Sequence, residues 1–107
     1  MKSQPLLVFT TMPDKPAAEK LAHQLLDQRL AACVNILGEM TSIYHWRGSI
    51  QKGEEYALLI KTTESSYDKL QTTICSLHPY ELPEIIATPI TQGLPDYLDW
   101  INVCTKK

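Results

Sequence analysis

One stretch of this chain marks the junction between a helix and a strand: His78-Pro79-Tyr80-Glu81-Leu82-Pro83-Glu84-Ile85-Ile86. Proline disfavours the helical conformation of the residue before it, so we expect His78 and Leu82 to be extended. The preceding helix therefore ends near His78, and the apolar residues from Ile85 onward begin a strand. The junction places an imidazole, a phenol and two carboxylates at the mouth of a sheet.

The elements on either side of this junction follow from hydrophobic spacing. The preceding helix carries an apolar stripe at 3-4-3 spacing and is expected to be capped by Ser65 or Ser66; the stripe consists of Tyr67, Leu70, Ile74 and Leu77. The strand that follows is predicted over residues 84–91 and ends before Gly93. Residues 94–103 are predicted to form a short C-terminal helix.

The first half of the chain repeats the pattern of a strand followed by a helix. Residues 6–11 are an apolar, β-prone run, and Asp14 is a favourable N-cap for the amphipathic helix after it. Between the two halves, Arg47-Gly48 is typical of a hairpin turn, with arms over about 35–46 and 49–62. The isolated Gly38 and Gly53 inside these arms predict β-bulges.

The resulting order, β-α-β-β-α-β plus a terminal helix, predicts one α+β ferredoxin-like domain over residues 1–107, with a long β-hairpin. Two helices cover only one face of a four-stranded sheet. The strands nevertheless place apolar side chains on both faces, since Leu6 and Val8 alternate with Leu7 and Phe9. Because no other element is expected to cover the second face, we predict an obligate homo-oligomer.

Charge and composition narrow the possible partners. The net charge is −2 and the pI is near 5.9, which argues against binding to nucleic acid or to an anionic membrane. The run from Leu6 to Phe9 is too short for a signal-peptide core, so we expect a cytoplasmic protein. Cys33, Cys75 and Cys104 show no CxxC spacing, which argues against a disulfide framework or a zinc ribbon.

Four ordered motifs resemble the divalent-cation tolerance (CutA) family across nearly the whole chain. They are Ala31-Ala32-Cys33-Val34-Asn35-Ile36, Tyr44-x-Trp46-x-Gly48, Glu55-x-x-Leu58-x-Ile60-Lys61-Thr62 and His78-Pro79-Tyr80-x-x-Pro83-Glu84-Ile85. The resemblance implies a ferredoxin-like homotrimer, similar in architecture to PII signalling proteins, whose hairpin pairs with a neighbouring subunit. It further implies a role in tolerance to copper and other divalent metals, and some members are linked to protein partners.

A metal site is the first functional hypothesis, with His78, Glu81 and Glu84 as candidate ligands and copper(II) or another divalent cation as the candidate metal. No cofactor is required. An extended segment would separate His78 from Glu84 by roughly 20 Å, so binding needs a bend or a ligand from another subunit. Some relatives carry soft ligands where this chain has Thr10 and Leu77-His78, which disfavours copper(I). The alternative for His78 is a helix-ending cap whose ring bonds a carbonyl.

Two other hypotheses do not require a metal. Lys61, Tyr80 and Trp100 are candidates for a crevice that binds a small anionic ligand or a protein partner, as in a signalling module. A third possibility is a rigid trimer that acts as a scaffold. Tyr44 and Trp46 are expected to be subunit-interface anchors. No recognisable nucleophile–base motif or phosphate-binding glycine loop is present in the sequence, so we expect a protein that is not an enzyme.

Overall fold

The computed structural model describes residues 2–106. The elements are β1 (Pro5–Met12), α1 (Lys15–Asp27), β2 (Cys33–Trp46), β3 (Ser49–Thr63), α2 (Glu64–Leu77), β4 (Ile85–Pro89) and α3 (Pro95–Thr105). The four strands form one antiparallel sheet in the order β2-β3-β1-β4. This confirms the predicted α+β class and the predicted order of elements.

The main core lies between one face of the sheet and the helices α1 and α2. Alternate residues of β1 and β3 point to this face, where they meet the apolar stripes of the two helices. The buried members include Val8, Leu21, Leu25, Leu58, Ile60, Leu70 and Ile74. Burial of these side chains fixes the register of the central strands, because a slip by one residue would expose the whole set.

The two main helices begin in different ways. The Asp14 carboxylate accepts a hydrogen bond from the Ala17 amide at 2.8 Å, which confirms the predicted cap of α1. The predicted serine cap of α2 is wrong. Thr63 holds the N-cap position without a side-chain cap bond, and the Ser65 amide donates instead to the Ser3 hydroxyl at 3.0 Å. The donor is therefore satisfied by a residue that precedes β1, far away in sequence.

The hairpin has the predicted turn and one of the two predicted bulges. Arg47 and Gly48 both have positive φ, 50° and 83°, as a type I′ turn requires. A bulge at Gly38 interrupts the pairing of β2 with β3 between Leu37 and Met40. Gly53 pairs with Ser42 in regular register, so the prediction of a second bulge is wrong.

The second face of the sheet is partly covered by α3, contrary to the expectation that the chain had nothing to place there. This helix packs on β3 and β1, and burial beside the Cys33 thiol on that face raises the pKa of Tyr97. Ile101 of α3 is fully buried. Elsewhere on this face Leu37 and Ile86 stay 50% and 58% exposed. The apolar surface that motivated the oligomer prediction is therefore smaller than expected, but it persists.

Three further features of residues 2–106 concern the last strand, the cysteines and the helices. β4 is shorter than predicted because its ladder with β1 stops at Pro89. The three cysteines are free thiols. Between residues 2 and 106, no helix combines the length and the apolar character needed to cross a membrane.

Candidate functional site

A cleft of about 600 Å³ opens where the hairpin extends beyond the rest of the sheet. The strand β1 ends at Met12, opposite Tyr56, so residues 49–55 of β3 have no β1 neighbour. The segment that joins α2 to β4 crosses this end of the sheet. We call the space between them the hairpin cleft; it is lined by Thr11, Ser42, Ile43, Tyr44, His45, Trp46, Glu55, Tyr80, Glu81, Leu82 and Glu84.

Glu55 is the half-buried carboxylate of this cleft. Its Oε2 accepts a hydrogen bond from the Tyr80 hydroxyl at 2.8 Å. Burial alone would raise the pKa of Glu55, but hydrogen bonds from Ser42, Tyr80 and Thr11 outweigh burial and lower that pKa below its ordinary value. Glu55 is therefore a fixed negative charge at neutral pH. Burial, together with the bond to Glu55, raises the pKa of Tyr80, so the phenol keeps its proton.

His78 holds the α2–β4 segment against the end of β1. Its Nε2 lies 2.6 Å from the Thr11 carbonyl oxygen, and its Nδ1 lies 3.2 Å from the Tyr80 amide nitrogen. A carbonyl can only accept and an amide N–H can only donate, so Nε2 carries the proton and Nδ1 is the acceptor. The alternative that His78 ends the helix with its ring bonded to a carbonyl is confirmed. Neither ring nitrogen keeps a free lone pair for a metal ion in this arrangement.

The other two predicted metal ligands lie at the mouth of the cleft. Glu81 pairs with Arg47 at the hairpin tip at 2.6 Å, and both side chains are 69% exposed. Glu84 is exposed and makes no hydrogen bond or ion pair within residues 2–106. In the same part of the chain, no three His, Cys, Asp or Glu side chains converge as a metal site would require. Metal binding by His78, Glu81 and Glu84 stays a prediction, because the described part of one chain does not bring a complete set of ligands together.

The three residues of the predicted ligand crevice have different neighbours within one chain. Tyr80 lines the hairpin cleft. Lys61 lies on the second sheet face, where its ammonium group contacts Asn35 and lies 3.8 Å from the Cys33 sulfur. The Trp100 ring stacks at a tilt with that of Tyr97 on α3, with the ring centres 5.3 Å apart. A crevice that joins all three would have to form between chains.

The predicted interface aromatics also line the cleft. Tyr44 and Trp46 share a strand face with Ser42, opposite Gln51 and Ser49 of β3. The Arg47 guanidinium lies 5.2 Å from the centre of the Trp46 ring, which is cation–π geometry. Their role at a subunit interface stays a prediction.

Sequence reasoning missed Glu55 as a site residue. Paired charges on a strand, such as Glu54-Glu55, usually serve to prevent pairing at a sheet edge, so residue type alone does not mark either of them as a site residue. The alternation of side chains along the strand could have identified Glu55, because Glu55 lies on the same strand face as Ala57 and Leu59, whereas Glu54 lies on the opposite face. The structure separates the two carboxylates accordingly: Glu54 accepts a hydrogen bond from Thr41, and Glu55 lines the cleft.

Comparison with known proteins assigns the family. The family model described as CutA1 divalent ion tolerance protein matches residues 6–104. A divalent-cation tolerance protein CutA of Thermus thermophilus is 45% identical over 96 residues, which cover 90% of this chain and 93% of that protein. Protein CutA of Mus musculus is 42% identical over 98 residues, but the match spans only 55% of the mouse protein.

The structural comparison agrees with the sequence matches. The crystal structure of CutA1 from Oryza sativa has a TM-score of 0.95 to this chain at 39% identity. The match covers 99% of this chain and 97% of the rice chain. Sequence and fold thus agree over nearly the whole length, and this chain belongs to the CutA1 divalent ion tolerance family.

Proposed function

We propose that this protein acts in tolerance to divalent cations as a ferredoxin-like homotrimer. The observation that carries the proposal is the family match over residues 6–104, together with the relative from Thermus thermophilus that is named for divalent-cation tolerance. The oligomer is supported by the exposed apolar residues on the second face of the sheet. Three copies rather than two follow from the family resemblance.

The first prediction concerns this assembly. Light scattering at micromolar concentration is expected to give the mass of three chains of 12.1 kDa. Ile86→Glu should lower that mass, because it places a charge on the apolar sheet face that we assign to the interface. Leu26→Glu is the matched control, since Leu26 is also a partly exposed apolar residue but lies on α1. A monomeric mass for the unsubstituted protein would refute the proposed oligomer.

Direct cation binding is proposed to use the carboxylates of Glu81 and Glu84. Both side chains are exposed and lie on the α2–β4 segment. Carboxylate oxygens suit divalent cations, whereas copper(I) selects thiolate or thioether sulfur. The ligand set within one chain is incomplete, so the proposal places the remaining ligands on a neighbouring chain. His78 then positions this segment and is not itself a ligand.

The second prediction tests this assignment by calorimetric titration of metal-stripped, reduced protein with copper(II) and with zinc. We expect saturable binding in the micromolar range, and at least about tenfold weaker binding for Glu84→Gln, since one charged ligand is lost. Glu19→Gln removes the same charge from an exposed position on α1 and should leave the affinity unchanged. Binding that saturates only in the millimolar range, or an equal loss in both variants, would exclude a direct site at Glu84.

A second candidate function is favoured by the hairpin cleft. Its volume lies within the range of small-molecule sites, roughly 300–1,000 Å³. The protein would then be a trimeric signalling or scaffold module that binds a small ligand or a partner and performs no metal chemistry. A thermal-shift screen of small organic molecules tests this candidate, because a ligand that binds the native state raises the unfolding temperature. A screen without any stabilising compound would count against it.

A further inference from the structure

We propose that the hairpin cleft binds a linear aliphatic diamine, with one ammonium group at Glu55 and the other near Glu84. This inference rests on the second candidate function and specifies its ligand class. The proposed ligand is a cation, whereas the sequence suggested an anionic ligand bound near Lys61. Lys61 does not line the cleft; the charged residues that do are carboxylates.

Within one chain, the described residues of the cleft do not assemble a complete set of ligands for a single metal ion. A single ion needs ligands that converge to about 2–2.6 Å from one point. Within residues 2–106 no three potential ligand side chains converge in this way. An elongated ligand with a charge at each end can bind two carboxylates separately and does not need them to converge on one point.

The charge of the cleft favours a cation over an anion. Glu55, Glu81 and Glu84 line it, and His45 is the one basic residue among the described residues that line it. Arg47 is outside the lining set and is already paired with Glu81 at 2.6 Å. The half-buried Glu55 is held in place by the Tyr80 hydroxyl at 2.8 Å, so one acceptor is oriented before any ligand arrives. Of the three lining carboxylates, Glu55 and Glu84 therefore form no ion pair with a lysine or arginine within residues 2–106.

The walls of the cleft suit an alkylammonium chain. Tyr44 and Trp46, which we also expect at the subunit contact, present aromatic surface to the cleft of one chain, and the Arg47 guanidinium lies 5.2 Å from the centre of the Trp46 ring. Aromatic faces attract ammonium groups in the same way. The apolar side chains of Ile43 and Leu82 complete the lining and can cover methylene groups. A lining that combines carboxylates with aromatic and apolar side chains matches a diamine better than a compact, fully hydrated ion.

The third prediction is a calorimetric titration of the metal-free protein with butane-1,4-diamine. We expect saturable binding of one molecule per chain, weakened at least about tenfold by Glu55→Gln, because an ammonium–carboxylate bond becomes an ammonium–amide bond. Glu54→Gln is the matched control, since the neighbouring Glu54 carboxylate contacts Thr41 and does not line the cleft. Butane-1,4-diol, uncharged and similar in length, should not bind.

Several outcomes would overturn the inference. These are the absence of saturable binding up to millimolar diamine, equal loss in Glu54→Gln and Glu55→Gln, and binding of the diol as tight as that of the diamine. If Glu55→Gln does not fold, Glu84→Gln provides the test, and it should also weaken diamine binding about tenfold or more. Stabilisation by an organic anion, without any by the diamine, would retain the second candidate function and reject only its ligand class. The copper and zinc titrations test only the proposed metal site, so their outcome does not decide whether the diamine binds.

Discussion

Gly38→Ala is expected to destabilise the protein by about 1–3 kcal/mol, the usual cost of forcing extra volume into a packed site. A Cβ at position 38 would lie 2.7 Å from Cγ of Tyr56, and closer still to two other ring atoms. The Tyr56 ring packs against the main core, so it cannot simply move into solvent. The glycine is required by this close approach, since its φ is not positive.

Gly53→Ala is the matched control in the same hairpin. Nothing lies within 4 Å of the Cβ that it would add, and its φ is also not positive. We expect a neutral result, or a stabilisation of up to about 1 kcal/mol, because alanine restricts the unfolded chain. Denaturant unfolding at matched protein concentration measures both effects. In the double variant Gly38→Ala/Tyr56→Ala the cost of the alanine at 38 should largely disappear; additive costs would contradict the steric explanation.

The contrast between these two glycines shows how far the sequence predicts the fold. Local chemistry was sufficient at the α1 cap, where Asp14 bonds an amide three residues away, and at the Arg47-Gly48 turn. It was insufficient at the start of α2, whose amide is satisfied by Ser3, 62 residues away. Gly38 and Gly53 look alike in sequence, and only the ring of Tyr56 across the strand pair distinguishes them.

The candidate site follows the same rule. His78, Tyr80, Glu81 and Glu84 were recognised because they cluster in sequence between two prolines. Glu55 was missed because its partner Tyr80 is 25 residues away. The negative charge of the cleft was likewise out of reach, since it depends on the long-range contact that brings Glu81 and Glu84 of the α2–β4 segment to the same cleft as Glu55 of β3. Residue type predicted the candidates, and long-range pairing decided which of them meet.

His78→Ala is expected to destabilise the protein by about 2–3 kcal/mol. The substitution removes two hydrogen bonds, each worth about 1 kcal/mol, and leaves the carbonyl of the buried Thr11 without its partner. It also removes the ring that packs on Tyr80, with ring centres 4.7 Å apart. His23→Ala on the exposed side of α1 should change the free energy of unfolding by less than about 0.5 kcal/mol.

The same variant separates a structural role for His78 from a ligand role. If His78 positions the α2–β4 segment, the folded fraction of His78→Ala should still bind copper(II) or zinc, and the loss should appear in denaturant unfolding. If His78 is a ligand, the metal affinity of the folded fraction should fall at least about tenfold. Both ring nitrogens are already bonded, so a metal could gain His78 only by breaking its bond to Thr11 or to Tyr80. A stable variant that has lost its metal affinity would therefore reject the positioning role and return His78 to the ligand set.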